Sequence, residues 1–129
     1  MTIFYADDDQ DELDFFREAL KLIDPSIECV TASNGREALQ LLETIGTPGV
    51  IFLDLNMPGI DGEGCLVSIK NNARLKDVPV IIYSSTADTK DRYMLQAKGA
   101  FKVIKKIWGI AQLSREIHSV IVSAPSTAR

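Results

Sequence analysis

The chain has 129 residues with 46% hydrophobic content, which is enough for one globular domain with a full core and too short for two. Its net charge of −4 and pI near 4.9 argue against a protein that wraps nucleic acid or lies on an anionic membrane. Residues 1–64 carry 14 acidic and 3 basic side chains, whereas residues 65–129 carry 4 acidic and 11 basic side chains. By itself, this asymmetry is typical of two differently charged solvated faces.

The ends and the cysteines point to a cytosolic protein. The N-terminus has no basic region, which argues against a secretory signal, and no apolar stretch approaches the roughly 18 residues of a membrane span. Cys29 and Cys65 lie among apolar residues, without the spacing of a metal or redox site. We expect both to be small buried residues that form no disulfide.

Strands and helices alternate along the chain. Apolar residues 3–6 predict a strand, and the three- and four-residue steps over 13–23 predict a helix that Asp8 or Asp9 caps. Further strands are predicted at 27–32, 50–53, 78–83 and 101–105, and further helices at 38–46, 61–70, 89–97 and 110–122. Several strands are apolar throughout, which favours a three-layer α/β domain, doubly wound around a five-stranded parallel sheet. We expect the domain to span residues 1–123 and residues 124–129 to form a disordered tail.

Polar side chains follow four of the five predicted strands. They are Asp7, Asp8 and Asp9 after the first strand, Asp54 at the end of the third, Ser84, Ser85 and Thr86 after the fourth, and Lys105 and Lys106 after the fifth. In an open parallel sheet, the carboxyl ends of the strands lie at one edge, where ligands bind. These side chains share one pocket if the first and third strands are neighbours.

Carboxylates held close together repel one another unless a cation joins them, and Mg²⁺ takes one or two carboxylates together with a phosphate oxygen. The backbone carbonyl of Asn56 would supply a further oxygen ligand. A lysine and a hydroxyl beside the metal favour a phosphoryl group as the guest, and Asp54 is then a plausible nucleophile.

Four segments together resemble the receiver domain of two-component response regulators: YADDD at 5–9, FLDLNMPGIDG at 52–62, VPVIIYS at 78–84 and KGAFKVIK followed by Lys106. The resemblance covers the chain from Ile3 to about Val122. It implies a flavodoxin-like fold with strand order 2-1-3-4-5. It also implies roles for six residues: Asp54 as the phosphoacceptor, Asp7 and Asp8 as the metal-binding acids, Asn56 as a main-chain metal ligand, Ser84 as the switch hydroxyl and Lys106 as the lysine that contacts the phosphoryl group.

Two residues depart from the family pattern. Ile107 stands where proline is usual, which removes a frequent cis bond, and Val103 stands where an aromatic residue is common. The usual coupling between the hydroxyl and an aromatic rotamer is therefore in doubt, and Tyr83 or Trp108 are the candidates to replace that ring.

Some of these residues also have simpler interpretations. Asp8 and Asp9 are candidate helix caps, Ser84 a strand-ending hydroxyl, and Thr86 the cap of the fourth helix. Lys105 competes with Lys106 for the pocket, because strand alternation sends the two side chains to opposite faces. His118, the only histidine, is expected to be a partly exposed helix residue rather than a phosphoryl donor.

The resemblance implies that a sensor histidine kinase or a histidine phosphotransfer protein donates a phosphoryl group to Asp54 with Mg²⁺. The chain would be a self-phosphorylating and self-dephosphorylating switch, not an enzyme with an external substrate. Since no effector domain follows Val122, we expect a stand-alone regulator or phosphorelay shuttle that signals through a partner protein, with no role in nucleic-acid or membrane binding.

Three other functions remain open. An unphosphorylated receiver-like adaptor would bind partners by shape alone. A Mg²⁺-dependent aspartyl-phosphate phosphatase has a second acid two residues after its nucleophile, where this chain has Asn56. A nucleic-acid binder would use the basic stretch 98–106, which has little aromatic interleaving.

Overall fold

Five strands and five helices alternate in the computed structural model, which describes residues 1–106 and 109–124. The strands are β1 (Thr2–Ala6), β2 (Glu28–Ala32), β3 (Val50–Leu53), β4 (Val80–Ser84) and β5 (Lys102–Lys105). The helices are α1 (Gln10–Ile23), α2 (Gly35–Thr44), α3 (Gly62–Lys70), α4 (Thr89–Ala97) and α5 (Ile110–Ser123). Every element predicted from the sequence is present. The predicted tail begins at Ala124, which is the C-cap of α5, and its remaining residues, 125–129, lie outside the described residues.

The strands form one parallel sheet in the order β2-β1-β3-β4-β5, which confirms the doubly wound, flavodoxin-like architecture. β1 and β3 are direct neighbours, with Ala6 opposite Leu53. β4 pairs with β3 on the other side, and β5 is the far edge strand. Because all strands run the same way, the residues that follow β1, β3, β4 and β5 lie at one edge of the sheet.

Helices cover both faces of the sheet, so alternate strand residues enter two separate cores. On one face, Tyr5 and Phe52 pack with Phe16 of α1 and Ile117 of α5. On the other face, inward-facing strand residues pack with residues of α2, α3 and α4; these are Phe4, Ile51 and Ile82 from the strands and Leu42, Leu66 and Leu95 from the helices. This alternation explains why β1, β3 and β4 read as apolar runs.

Side-chain caps set the starts of four helices. Asp9 caps α1, as one of the two predicted alternatives, and Asn34 and Asp61 cap α2 and α3. The prediction that Thr86 caps the fourth helix is wrong. Asp88 is the cap of α4. Its carboxylate accepts a hydrogen bond from the backbone N–H of Asp91, and the Asp91 side chain accepts one from the backbone N–H of Asp88. Thr86 lies two residues too early in the chain to form this reciprocal pair.

Some element ends differ from the predictions for local reasons. β4 begins at Val80 instead of 78, because Pro79 has no N–H to donate to the ladder, although its carbonyl accepts from Ile51. α2 begins at Gly35 instead of 38, because hydrophobic periodicity marks only the buried face and the first turn is polar. Both cysteines are free, with Cys65 buried and Cys29 half-buried. Within the described ranges, none of the helices has the length and apolar character to cross a membrane.

Candidate functional site

Parallel pairing of β1 with β3 brings the two key acids side by side. Asp7 follows β1 directly and Asp54 follows β3, and the backbone N–H of Asp54 donates to the carbonyl of Ala6 at 2.9 Å. The backbone N–H of Asp7 in turn donates to Ala32 of β2 at 3.1 Å. The sheet therefore fixes the backbone at both acids before any side-chain contact is made.

Asp7, Asp8 and Asp54 form an acidic cluster in which one carboxylate oxygen of each residue lies within 4.8 Å of those of the other two. Asp7 and Asp54 are buried, with 0% and 6% of their surface exposed, whereas Asp8 is exposed. Burial and the negative charges of Asp7 and Asp8 raise the pKa of Asp54 to about 6, against the opposing effect of Lys106. Three carboxylates that share so small a space suit a hard divalent cation such as Mg²⁺, which prefers oxygen ligands.

Lys106, and not Lys105, reaches this cluster. The Lys106 Nζ lies 2.8 Å from Asp7 Oδ2, 3.8 Å from Asp54 Oδ2 and 4.0 Å from Glu12 Oε2. Its backbone N–H donates to the carbonyl of Ser84, which fixes it beside the end of β4, while the Lys105 side chain is exposed. Burial alone would lower the pKa of Lys106, but the hydrogen bond to Asp7 and the neighbouring carboxylates raise it, so the ammonium stays charged.

Ser84 and Asn56 meet through Thr86 on the other side of the pocket. Ser84 is fully buried at the end of β4, and its hydroxyl accepts from the backbone N–H of Thr86 and lies 3.2 Å from the Thr86 hydroxyl. The side-chain amide of Asn56 donates to that same Thr86 hydroxyl at 2.5 Å. The backbone N–H of Asn56 donates to Asp54, which favours the ionised carboxylate. Thr86 thus connects the loop after β3 with the loop after β4.

Two glycines shape the loop that carries Asp54 and Asn56 into α3. Gly59 has a φ of +74°, a left-handed conformation that disfavours other residues. A Cβ atom on Gly62 would lie only 2.4 Å from the Asp54 carbonyl oxygen, and the Gly62 N–H donates to the carbonyl of Leu55 at 2.9 Å. The start of α3 therefore packs directly on the backbone of the candidate nucleophile.

Two further residues belong to the site, although sequence reasoning did not single them out. The Tyr5 hydroxyl donates to Asp7 Oδ2 at 2.5 Å, and Glu12 approaches Lys106 from the first turn of α1. Burial and the charge of Asp7 raise the pKa of Tyr5, so its phenol remains a donor. Strand alternation was the signal for Tyr5, since it stands two residues before Asp7, and residues two apart along extended backbone project to the same face.

The structure does not support Tyr83 as a replacement for the aromatic residue absent at Val103. Tyr83 is buried in the core on the α1 and α5 side, and its ring centroid lies 6.0 Å from Lys106 Nζ. Val103 packs in the core on the opposite face of the sheet. The other candidate, Trp108, lies outside the described residues, as does Ile107. His118 is exposed on α5, as expected.

Comparisons with known proteins agree with this geometry. The response regulator receiver domain family matches residues 3–118. The transcriptional regulatory protein PrrA of Mycobacterium tuberculosis is 32% identical over 126 residues, which cover 98% of this chain and 52% of PrrA. The chain therefore spans about half the length of this curated relative.

Solved structures show the same relationship. The phosphorylated cyanobacterial phytochrome response regulator RcpA superposes with a TM-score of 0.85 at 28% identity, over 99% of this chain and 98% of RcpA. The receiver domain of a DNA-binding response regulator from Colwellia psychrerythraea superposes with a TM-score of 0.83 at 25% identity, over 95% and 99% of the two chains. With sheet order, acidic cluster and family match in agreement, the chain belongs to the response regulator receiver domain family of two-component signalling.

Proposed function

We propose that this chain is a phosphorylation switch whose phosphoacceptor is Asp54. The observation that carries the proposal is the convergence of a nearly buried Asp54 with two further acids, Asp7 and Asp8, and the Lys106 ammonium. Receiver domains are signalling switches, and this one would take its phosphoryl group from a sensor histidine kinase or a histidine phosphotransfer protein. It would have no external substrate.

The acidic cluster fits Mg²⁺. Asp7, Asp8 and Asp54 would hold the ion together with the main-chain carbonyl of Asn56, and the bound ion would neutralise charge on the incoming phosphoryl oxygens. Without such a cation, ionising Asp54 costs more free energy than ionising an ordinary aspartate, as its pKa of about 6 indicates. Ion binding thus prepares the carboxylate to act as a nucleophile.

In the forward step, an Asp54 oxygen attacks phosphorus in line with the P–N bond of the phosphohistidine. The new P–O bond forms as the P–N bond breaks, and the imidazole leaves with the electron pair. Lys106 moves from Asp7 towards a phosphoryl oxygen, and Ser84 turns its hydroxyl from Thr86 towards another. Hydrolysis later adds water at phosphorus, breaks the bond between phosphorus and the Asp54 oxygen, and releases inorganic phosphate and the free carboxylate, so the switch resets itself.

Output would pass through the face formed by α4, β5 and α5. Arg92 of α4 donates to the carbonyl of Val103 in β5 at 3.2 Å, which links these elements directly. Tyr93, Met94 and Phe101 expose apolar surface on or next to α4. A downstream partner protein that binds this face would detect a shift between two conformations. A cytoplasmic location stays a prediction.

Three of the four lysines in the basic stretch 98–106 pair with acids of the same chain, which argues against a nucleic-acid interface. Lys98 pairs with Glu63 at 2.6 Å, Lys102 pairs with Glu116 at 3.0 Å, and Lys106 lies in the candidate pocket. The fourth, Lys105, is exposed, and binding to a nucleic-acid backbone takes a cluster of basic groups rather than one.

Intact mass spectrometry after incubation with a small phosphodonor and Mg²⁺ tests the proposal. We expect a gain of one phosphoryl group that requires Mg²⁺ and is absent in Asp54→Asn. The adjacent Asp9→Asn is the matched control, because asparagine also caps a helix and the variant loses one charge outside the acidic cluster. No adduct with any donor or kinase would favour the adaptor, and turnover of free phosphate esters would favour the phosphatase.

A further inference from the structure

Tyr5 is a buried tyrosine whose hydroxyl has no part in the mechanism above. None of its surface is exposed, and its ring packs 4.4 Å from that of Phe16 and 6.0 Å from that of Tyr83. Phenylalanine would fill the same space and keep the same ring contacts. Any role of the hydroxyl must therefore come from its hydrogen-bond partner among the described residues, the Asp7 carboxylate, to which it donates at 2.5 Å.

Asp7 accepts three hydrogen bonds from residues that the structure describes. Its Oδ2 accepts from both the Tyr5 hydroxyl and the Lys106 ammonium, and its Oδ1 accepts from the backbone N–H of Asp9 at 3.0 Å. Since Asp7 is fully buried, bulk water does not replace a donor that is lost. Removing a partner from a buried charged group carries a large penalty.

The proposed mechanism imposes such a loss, because Lys106 must leave Asp7 to contact the phosphoryl group. If Lys106 were the sole donor to Asp7 Oδ2, its departure would leave that oxygen with no hydrogen bond and the carboxylate with only the proposed Mg²⁺ to offset its charge. With the Tyr5 hydroxyl in place, the oxygen keeps one strong donor throughout. We infer that Tyr5 is a positioning residue that holds Asp7 Oδ2 while Lys106 transfers to the phosphoryl group, and so favours the phosphorylated state; this inference rests on the proposed function.

Tyr5→Phe removes only the hydroxyl and therefore tests the inference. The two measurements are the affinity for Mg²⁺ alone and, at saturating Mg²⁺, the affinity for beryllofluoride, a stable mimic of a carboxylate-bound phosphoryl group, both by titration calorimetry. We expect Mg²⁺ affinity to be unchanged or tighter, because a carboxylate that loses a donor is a stronger ligand. We expect beryllofluoride affinity to fall about tenfold, which is the scale of one hydrogen bond to a charged group.

This opposite response separates positioning from a merely structural role, since a loosened pocket would weaken both ligands. Thr44→Val is the control, because it deletes a hydroxyl of similar size from an exposed residue at the end of α2, outside both the pocket and the α4–β5–α5 face, and it should change neither affinity. Parallel weakening of both ligands in Tyr5→Phe, or no change in either, would overturn the inference. If the unaltered chain fails to bind beryllofluoride at all, the proposed function falls, and the inference falls with it.

A double-mutant cycle identifies the route of the effect. If Tyr5 acts through Lys106, Tyr5→Phe should cost little further beryllofluoride affinity once Lys106→Met has removed the ammonium. Full additivity of the two losses would contradict the inference.

A structure of the unaltered chain with Mg²⁺ and beryllofluoride provides a test that does not depend on how the variants fold. The expected result is that Lys106 Nζ has left Asp7 Oδ2 for a fluorine, while the Tyr5 hydroxyl remains within hydrogen-bond distance of that oxygen. A Tyr5 hydroxyl turned away from Asp7, or Lys106 still bound to it, would overturn the inference.

Discussion

At the scale of single residues, the ionised form of Asp54 lowers the stability of the fold. Burial and two neighbouring carboxylates raise its pKa from 3.8 to about 6, although Lys106 lies 3.8 Å away. Between these two pKa values, the folded chain holds the proton more tightly than the unfolded chain. The free energy of unfolding therefore falls as the pH rises through that window, because Asp54 must lose its proton in the folded chain. Above about pH 6, the full destabilisation by ionised Asp54 is present.

Asp54→Asn should accordingly stabilise the protein at neutral pH. We expect its free energy of unfolding in the absence of Mg²⁺ to exceed that of the unaltered chain by on the order of 2 kcal/mol at pH 7.5, because the neutral amide escapes the penalty. Near pH 4 the gain should vanish, since Asp54 is then protonated in the folded chain. Urea denaturation at the two pH values measures this, and equal gains at both would contradict the assigned electrostatics.

Protons should also compete with Mg²⁺ for the same carboxylates. Because ionised Asp54 is the form that binds the metal, we expect Mg²⁺ affinity to weaken as the pH falls below about 6. Calorimetric titrations at pH 7.5 and pH 5 measure the change. In Asp54→Asn, whose side chain does not titrate, the residual affinity should depend less on pH across that window.

At the scale of elements, the connection from β3 to α3 holds the site together. Gly62 begins α3 against the Asp54 carbonyl, where an added Cβ would lie 2.4 Å from the oxygen and 2.8 Å from Leu55 Cα. The backbone cannot yield to that contact without moving both Asp54 and Asn56. The helix start and the position of the candidate nucleophile are therefore coupled.

Gly62→Ala should damage stability and the site together. We expect a loss of about 2 kcal/mol or more in the free energy of unfolding, because a buried overlap forces the backbone to shift, and weaker Mg²⁺ binding in the fraction that folds. Gly46→Ala is the matched control, since no atom lies within 4 Å of its added Cβ. Equal stabilities for the two variants would show that α3 does not pack on Asp54 as described.

At the scale of the whole molecule, the uneven charge along the sequence acquires a spatial meaning. Acids concentrated at the start of the chain line the pocket from β1 and β3, and Lys106, near the opposite end of the chain, crosses to meet them. Lys98 and Lys102 pair with Glu63 and Glu116 elsewhere on the surface. The two differently charged solvated faces considered from the sequence are thus only part of the explanation.

Mg²⁺ should stabilise the entire fold by mass action. At a hundredfold excess over the dissociation constant, binding to the folded state alone adds about 2.7 kcal/mol, which thermal unfolding detects as a raised midpoint. Asp8→Asn should lose most of this rise, because it removes an exposed member of the acidic cluster. Asp9→Asn should keep it, since Asp9 caps α1 and lies outside the cluster.

The sequence was sufficient for the architecture because β1, β3 and β4 are apolar runs, which specify a parallel sheet covered on both faces, and because the family resemblance supplied the strand order. It also placed Asp54, Ser84 and either Lys105 or Lys106 at one edge, and the family resemblance favoured Lys106. What it missed depended on side-chain contacts between residues far apart in the chain. Asp88, not Thr86, caps α4, and the Thr86 hydroxyl instead accepts a hydrogen bond from Asn56. Tyr5 was not singled out because it lies within an apolar run, although its hydroxyl binds Asp7.

The central claim is that Asp54 accepts the phosphoryl group, and chemical trapping tests it residue by residue in the unaltered chain. After incubation with Mg²⁺ and a phosphodonor, borohydride reduces an acyl phosphate to an alcohol, which converts the phosphorylated aspartate to homoserine. Peptide mapping by mass spectrometry should then place homoserine at position 54 and at no other acid. Homoserine at Asp7 or Asp8, or no conversion anywhere with either a small phosphodonor or a phosphorylated histidine kinase, would contradict the account.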